Sequence, residues 1–245
     1  VTAGLLSSAI MFGRLLAIFA HPDDESYGPA GTLVEAAQRG GDVRVITATR
    51  GEAGSLGISK QYAPQALARI RQGELRQAAD ILGLESIILG WADKGVAAVD
   101  PVVGMATLVR EIRLFRPDSL LTFHPNGISG HPDHVAITAL ALSAEKAAAD
   151  GSFRPDLGSS WSTTRHWHYA MPESKGVAVA HFRKMQTVPD EAIDEVVDVS
   201  HHTVRKEAAC LAHVTQRDFH RRLQDVRGGL HPFWSREHLV RAARA

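Results

Sequence analysis

The chain of 245 residues is 44% hydrophobic, which is enough apolar content for one buried core, and its 27 Lys and Arg balance its 27 Asp and Glu. This even charge, with no basic cluster, argues against nucleic-acid binding, and no uncharged apolar run reaches the roughly 18 residues of a membrane span. The single cysteine, Cys210, excludes an intrachain disulfide and favours a cytoplasmic protein. We expect a single domain over residues 11–245, preceded by a short extension of residues 1–10.

Apolar runs of strand length alternate with helical patterns along the first 150 residues. Strands are predicted at 14–20, 42–49, 86–89 and 119–123, and helices at 28–39, 64–82, 101–116 and 135–149. Such alternation is typical of βαβ units, so we predict an α/β chain with a Rossmann-like, three-layer α/β/α fold and a mainly parallel sheet. A dinucleotide is not expected, because no Gly-x-Gly-x-x-Gly follows the first strand.

The second part of the chain has less regular patterns. Residues 150–161 are rich in Gly, Ser and Pro, which predicts a loop that could cover a crevice. Residues 165–170 and 176–188 are expected to form further strands, and residues 203–223 a long helix. Asp133 could cap the helix predicted at 135–149.

Two turns rich in His and Asp follow the first and fourth predicted strands. The first is His21-Pro22-Asp23-Asp24-Glu25, and the second runs from His124 to His134. Because the carboxyl ends of parallel strands meet at one edge of a sheet, both turns should face the same crevice. Imidazole and carboxylate are zinc ligands, and a catalytic zinc site uses three of them with one open position. The two turns therefore predict a metal-dependent hydrolase.

The first turn and His131-Pro132-Asp133-His134 resemble the two signature motifs of the PIG-L/LmbE family of zinc-dependent de-N-acetylases. The resemblance extends to TRGEAG at 49–54, RQGEL at 71–75 and KEAACLAHVTQ at 206–216. It implies the same fold and an enzyme that removes an acetyl or small acyl group from the amide nitrogen of an amino-sugar-type substrate. The attacking group would be a zinc-bound water, and the expected partner is a small N-acetylated amino sugar or amide.

The resemblance also implies roles for residues of both motifs. His21, Asp24 and His134 are expected to bind one Zn²⁺ per chain, although Fe²⁺ or another divalent metal would also suit such ligands. Asp23 is left unliganded beside the metal-bound water and is expected to act as the general base. His131 is expected across the metal from Asp23, where a protonated imidazole would stabilise the oxyanion; the alternative is that it only orients a ligand.

Four further residues are predicted to contact the substrate. Arg71 and Asp93 match positions that hold the sugar in relatives acting on N-acetylglucosamine derivatives, although each could equally belong to a surface ion pair. Glu52 and Asn126 are expected at the rim. Relatives in the mycothiol pathway carry a Tyr where this chain has Ser129, and that Tyr contributes to their oxyanion site or gates it. The difference puts their particular substrate in doubt for this chain.

Other functions stay open at this point. An amidase acting on a thiol conjugate or an antibiotic-type amide would use the same site. Two His and one carboxylate also form the facial triad of Fe(II) oxygenases, although the neighbouring base and oxyanion partner favour hydrolysis. A non-catalytic sugar-binding domain would keep the fold alone, and the presence of every expected site residue argues against it. The oligomeric state is open, and a homo-oligomer is one option.

Overall fold

The computed structural model describes residues 12–54 and 62–242, so the predicted extension at 1–10 lies outside the described residues. The strands are β1 (Leu15–Phe19), β2 (Val43–Thr49), β3 (Glu85–Trp91), β4 (Ser119–Phe123), β5 (Arg165–Tyr169), β6 (Glu195–Asp198) and β7 (Arg236–Arg241). The helices are α1 (Asp24–Tyr27), α2 (Ala30–Gln38), α3 (Pro64–Leu82), α4 (Pro101–Phe115), α5 (Gly127–Gly130), α6 (Pro132–Ala149), α7 (Glu173–Gly176), α8 (Thr203–Ala212), α9 (Arg217–Gln224) and α10 (Leu230–Trp234).

The strands form one sheet in the order β3-β2-β1-β4-β5-β7-β6, with helices on both sides. Strands β1 to β5 are parallel, whereas β7 runs antiparallel to both β5 and β6. This arrangement confirms the predicted α/β fold with a mainly parallel sheet. The strand order reverses between β1 and β4, and such a switch point opens a crevice beyond the carboxyl ends of the two strands. Both His-rich turns start there, because His21 follows β1 and His124 follows β4.

The two strands at the switch point are buried along their whole length. Their sequences, LLAIF and SLLTF, are runs of mostly apolar residues without alternation, as expected for the centre of a parallel sheet covered on both faces. The rings of Phe19 and Phe123 pack 5.0 Å apart at the ends of these strands. A buried apolar layer therefore lies directly next to the two His-rich turns.

Helix α3 has the predicted bounds. Pro64 occupies its first turn, where a missing N–H is tolerated, and Gly83 ends it in the left-handed conformation with φ 75°. Leu67 and Leu75 are buried, as the helical pattern predicts. Arg71 lies between them and is also buried, so this helix carries a charged group into the interior.

The C-terminal part differs from the prediction. Residues 203–223 form two helices, α8 and α9, because the backbone leaves the helix at His213 (φ −79°, ψ 67°), whose ring is fully buried against Glu25. The strand predicted at 176–188 is wrong: Val179, Phe182 and Met185 pack into a hydrophobic cluster instead of pairing along a strand. Strand formation depends on such packing as much as on β propensity. The sequence patterns did not predict β6 or β7.

The loop at 150–161 does not cover the crevice. The buried guanidinium of Arg113 on α4 donates hydrogen bonds to the carbonyls of Asp150 (2.8 Å), Phe153 (2.9 Å) and Arg154 (2.8 Å). These bonds hold the loop beside α4, and none of its residues lines the cavity at the switch point. The possible lid function was therefore wrong. Within the described ranges, no helix combines the length and apolar character needed to cross a membrane.

A buried ion pair ties the C-terminal segments to the helices that follow β1. Lys206 Nζ lies 2.7 Å from Glu237 Oε1, and the side chains are 1% and 0% exposed. Lys206 also donates to the carbonyl of Gly28, and Glu237 accepts from the backbone N–H groups of Gly31 (3.0 Å) and Thr32 (2.7 Å). The pair therefore fixes the start of α2 and the end of α1 relative to α8 and β7.

Replacing Lys206 by Met should lower the free energy of unfolding by roughly 3–5 kcal/mol, because it leaves Glu237 buried without its charge partner. Urea denaturation of both proteins measures the difference. The matched control is Arg154→Met, which removes an ion pair of 2.7 Å whose side chains are 47% and 60% exposed. The control should unfold close to the wild type, and an equally small effect in Lys206→Met would contradict the structural role of the buried pair.

Candidate active site

A cavity of about 710 Å³ opens over the switch point of the sheet. Seven of the nine predicted site residues line it, namely His21, Asp23, Asp24, Arg71, Asp93, His131 and His134. The other two, Glu52 and Asn126, lie outside its lining. The fold thus brings residues more than 100 positions apart in sequence into one cavity.

The ring of His21 is held from both sides. Its Nε2 lies 3.2 Å from a carboxylate oxygen of Asp133 and 3.3 Å from one of Asp93, while its Nδ1 lies 3.5 Å from Asp24 Oδ2. Burial alone would lower the pKa of His21, but these carboxylates outweigh it and raise the pKa to about 12. Without a metal, these carboxylates therefore favour a second proton on the ring, with hydrogens on both nitrogens.

The ring of His134 faces that of His21. Its Nδ1 lies 3.0 Å from the carbonyl oxygen of Gly127, and because a carbonyl only accepts, Nδ1 carries the hydrogen. The ring also stacks on Phe123, with centroids 4.1 Å apart and planes 4° from parallel. Its Nε2 faces the inside of the cluster, 3.2 Å from His21 Nδ1 and 3.3 Å from Asp24 Oδ1.

The three groups fit a divalent metal. If a divalent metal replaces the second proton of His21, the remaining hydrogens of His21 and His134 lie on their outer nitrogens, and two lone pairs and the Asp24 carboxylate face the cation. Burial alone would raise the pKa of Asp24, but the two rings hold it well below its usual range, so this carboxyl is ionised. Zinc bonds of about 2.0–2.1 Å put tetrahedral ligand atoms roughly 3.3 Å apart. His21 Nδ1 and His134 Nε2 are 3.2 Å apart, close to that spacing, while the two oxygens of Asp24 lie 3.5 Å from His21 Nδ1 (Oδ2) and 3.3 Å from His134 Nε2 (Oδ1).

His131 lies beside this cluster. Its ring centroid is 4.7 Å from that of His21 and 5.1 Å from that of His134, and nitrogens of the three rings lie within 4.8 Å of one another. Its Nδ1 accepts a hydrogen bond of 3.1 Å from the backbone N–H of Asp133, so the neutral ring carries its hydrogen on Nε2. Burial and the two neighbouring rings lower the pKa of His131. This shift favours a neutral ring over the protonated imidazole predicted from the sequence.

Asp23 occupies a strained turn at the edge of the cluster. Its φ of 123° is far from the regions that side-chain-bearing residues favour, and such residues concentrate at functional sites. Its backbone N–H donates to Glu25 Oε2 (3.1 Å), and Glu25 Oε1 lies 2.8 Å from His213 Nε2. Burial raises the pKa of Asp23 to about 6, while the Arg71 guanidinium opposes this shift. Asp23 is therefore mostly ionised at neutral pH.

Arg71 supports the turn that carries Asp23. Its Nη2 lies 3.2 Å from Asp23 Oδ2 and donates to the carbonyl of Pro22, and its Nη1 donates to the carbonyl of Gly51 at 2.9 Å. Gly51 has φ 70°, and a Cβ there would lie 2.3 Å from Arg71 Nη1. This position must be glycine for the guanidinium to reach the turn.

The remaining predicted contact residues hold loops around the cavity. Asp93 Oδ2 accepts from the N–H of Ala53 (2.9 Å), and the N–H of Asp93 donates to Glu52 Oε1 (2.9 Å). Asn126 accepts from the N–H of Ile128 (3.0 Å) and donates to the carbonyl of Gln186 (3.2 Å). Contacts of these residues with a substrate stay predictions. What the structure shows is that their hydrogen bonds join neighbouring loops.

The contact of Asp133 with His21 was not predicted from the sequence. The predicted cap of α6 is wrong, because His131 supplies the cap and Asp133 turns inward. Asp133 accepts from the N–H groups of Lys94 (2.7 Å) and Val96 (3.1 Å) while it holds His21 Nε2. A carboxylate on the outer nitrogen of a metal-binding His fixes its tautomer and raises its basicity. Only the composition of the second motif hinted at this function.

Replacing Asp133 by Asn should weaken divalent-metal binding by roughly 10–100-fold, because His21 loses the carboxylate that orients its lone pair. Competition with a chromophoric chelator measures the dissociation constant. The matched control is Asp100→Asn: the Asp100 carboxylate also accepts from two backbone N–H groups, at the start of α4. Metal affinity should be unchanged in the control, and equal affinities in both variants would rule out this role for Asp133.

Comparison with known proteins supports these observations. The family model for PIG-L, described as GlcNAc-PI de-N-acetylase, matches residues 16–145. A 1D-myo-inositol 2-acetamido-2-deoxy-alpha-D-glucopyranoside deacetylase of Geodermatophilus obscurus is 32% identical over an alignment that covers 83% of this chain and 82% of that protein. A mycothiol S-conjugate amidase of Streptomyces coelicolor is 35% identical over 161 residues, covering 58% and 55%.

Among solved structures, the N,N'-diacetylchitobiose deacetylase of Pyrococcus horikoshii superimposes with a TM-score of 0.72 at 18% identity, with 94% of this chain and 83% of that chain covered. At that identity the likeness shows a common fold. The residues matched by the family model include both His-rich turns and with them His21, Asp24 and His134, which we call the metal cluster because they are the predicted ligands. From this match and the identity to the Geodermatophilus protein, the chain belongs to the PIG-L family.

Proposed function

We propose that this chain is a zinc-dependent N-deacetylase that hydrolyses the acetamide of an amino-sugar derivative to a free amine and acetate. One observation carries the proposal. The unliganded carboxylate of Asp23 lines the same cavity as the converging groups of His21, Asp24 and His134. A base beside three ligands is what a metal hydrolase needs, and membership of the PIG-L family supports the same chemistry.

His21 Nδ1, Asp24 and His134 Nε2 are the proposed ligands. Two nitrogens and one carboxylate oxygen form a donor set typical of catalytic zinc, although other divalent ions accept it. When bound, zinc would supply Lewis acidity that lowers the pKa of a water molecule to about 7 and polarises the amide carbonyl.

Asp23 is the proposed general base. Its carboxylate takes a proton from the attacking water as the new C–O bond forms, and it returns that proton to the nitrogen as the C–N bond breaks. The ion pair with Arg71 Nη2 at 3.2 Å holds the carboxylate in place during both transfers. The products are a carboxylic acid, which ionises, and an amine.

His131 is the proposed oxyanion partner. Because its Nδ1 accepts from the backbone of Asp133, its Nε2 carries the hydrogen that can be donated to the developing negative charge on the carbonyl oxygen. A neutral donor suits this role, since it needs no change of protonation during the reaction.

An amidase acting on a thiol conjugate is the second candidate. The relative from Streptomyces coelicolor is named for that activity, and the same base, ligands and oxyanion donor would hydrolyse its amide. The substrate contacts of Arg71, Asp93, Glu52 and Asn126 are part of the proposal in either case.

We also propose a cytoplasmic location, which the single, buried and free Cys210 supports. Formation of a homo-oligomer stays a prediction.

Replacing His134 by Ala should abolish stoichiometric zinc binding, because it removes one of three ligands. His131→Ala should retain about one zinc per chain and lose activity, because it removes only the oxyanion donor. Metal analysis after removal of free zinc, together with release of free amine, measures both properties. Since His131 also lies within ligand distance, equal loss of zinc in the two variants would show that His131 is a ligand.

Replacing Asp23 by Asn should reduce turnover by roughly 10²–10⁴-fold while zinc content and the unfolding temperature stay near those of the wild type. The amide keeps the size of the side chain but cannot accept the proton. The assay follows release of free amine from a panel of N-acetylated amino sugars and thiol-conjugate amides, at matched zinc content.

The control for this variant is Asp156→Asn, at a surface carboxylate that is 60% exposed. It should turn over at the wild-type rate. Near wild-type turnover by Asp23→Asn would remove Asp23 as the base. Zinc-loaded wild-type protein that releases no amine from any member of the panel would favour the sugar-binding domain over the hydrolase.

A further inference from the structure

One wall of the cavity is hydrophobic. It is made by Val179, Phe182, Met185, Phe219, Leu223 and Trp234, all of which line the cavity. The same six residues belong to one hydrophobic cluster formed by the segment after α7 and by helices α9 and α10. We refer to these six residues as the apolar wall.

The apolar wall is continuous with the metal cluster. The ring of Phe219 lies 4.9 Å from that of Tyr27 and 6.5 Å from that of Phe182. Tyr27 is the last residue of α1, the helix that begins with Asp24. Phe182 and Phe219 are only partly buried and both line the cavity, with the Arg183 guanidinium 5.1 Å from the centroid of the Phe219 ring. A molecule bound at the cluster can therefore extend along the aromatic rings.

The apolar wall lies outside the part of the chain that the family model matches. The ligand and base residues fall within residues 16–145, whereas the wall falls within residues 179–234. The chemistry is thus carried by the shared part of the family, and the wall by C-terminal segments of this chain. Such a division is expected where the same reaction is applied to different substrates.

We propose that the apolar wall binds a bulky apolar aglycone, an aryl group or a medium-length alkyl chain, on the amino sugar that is deacetylated. The inference rests on the proposed deacetylase function, because an acetyl group offers one methyl and cannot cover Phe182, Met185 and Phe219, the three partly buried side chains of the wall. The apolar group must then belong to the amine side of the substrate. Each buried methylene improves binding about fourfold.

A group bound far from the reacting atoms contributes equally to the ground state and the transition state. It therefore lowers KM and leaves kcat little changed. A lower KM with little change in kcat therefore distinguishes binding of the aglycone from an effect on the chemical step, which would change kcat.

The test uses the zinc-loaded wild-type protein and four 2-acetamido-2-deoxy-glucosides with methyl, butyl, octyl and phenyl aglycones, each below the concentration of micelle formation. From methyl to octyl, kcat/KM should rise by roughly 10–100-fold, which corresponds to about two or three of the added methylenes being buried at the wall, and mainly through KM. A fifth substrate, the methyl glycoside with an N-octanoyl group, tests the acyl side. Faster hydrolysis of this substrate than of the octyl glycoside would assign the wall to the acyl chain and overturn the proposal.

The five substrates also distinguish the apolar-aglycone proposal from the deacetylase proposal. Equal kcat/KM across the aglycones would overturn the apolar-aglycone proposal, while turnover of the methyl glycoside would still support the deacetylase. No amine release from any of the five substrates would remove both.

Variants of Phe219 test whether the apolar wall causes the preference for the octyl glycoside. Phe219→Ala should lower the octyl-to-methyl ratio of kcat/KM by roughly tenfold, and Phe219→Leu by less, because it keeps more apolar contact. The control is Leu114→Ala on α4, at a leucine that is 61% exposed and does not line the cavity. It should keep the wild-type ratio. An unchanged ratio in folded Phe219→Ala would contradict the proposal.

Discussion

Two imidazole nitrogens face each other 3.2 Å apart at the switch point of the sheet, and the structure around them is arranged to keep them so. Asp133 holds the outer nitrogen of His21, and the carbonyl of Gly127 holds that of His134. Both inner nitrogens face the carboxylate of Asp24. Such a cluster is stable only around positive charge, either a proton on His21 or a metal ion, and this electrostatic requirement is the physical basis of the proposed metal site.

The proposed base, Asp23, is positioned by further contacts. Asp23 follows Pro22 in a turn with φ 123°, a conformation that costs about 1–3 kcal/mol and needs support from its surroundings. Glu25 supplies part of it by accepting the backbone N–H of Asp23, and the buried ring of His213 holds Glu25. Arg71 supplies the rest from α3. Asp23 and Asp24 are adjacent in this turn, so the contacts from Glu25 and Arg71 position the proposed base next to a proposed ligand.

Local patterns were sufficient for the elements that form the site and insufficient for the contacts that orient it. Helix α3 was predicted with its bounds, because Pro64 and Gly83 mark its ends. The break at His213 was not, since no Gly or Pro marks it and its cause is the distant Glu25. Likewise, no periodicity shows that Asp133 turns inward to His21 rather than capping its own helix. Orientation depends on pairs far apart in sequence, and a single sequence does not reveal them.

The most direct test of the metal cluster is X-ray diffraction from zinc-loaded crystals, with anomalous difference maps calculated above and below the zinc absorption edge. The account predicts one strong peak per chain, about 2.0–2.2 Å from His21 Nδ1, an Asp24 oxygen and His134 Nε2. It also predicts that His131 Nε2 lies beyond bonding distance. A peak bonded to His131 in place of Asp24 or His134, or no peak between these residues at full zinc content, would contradict it.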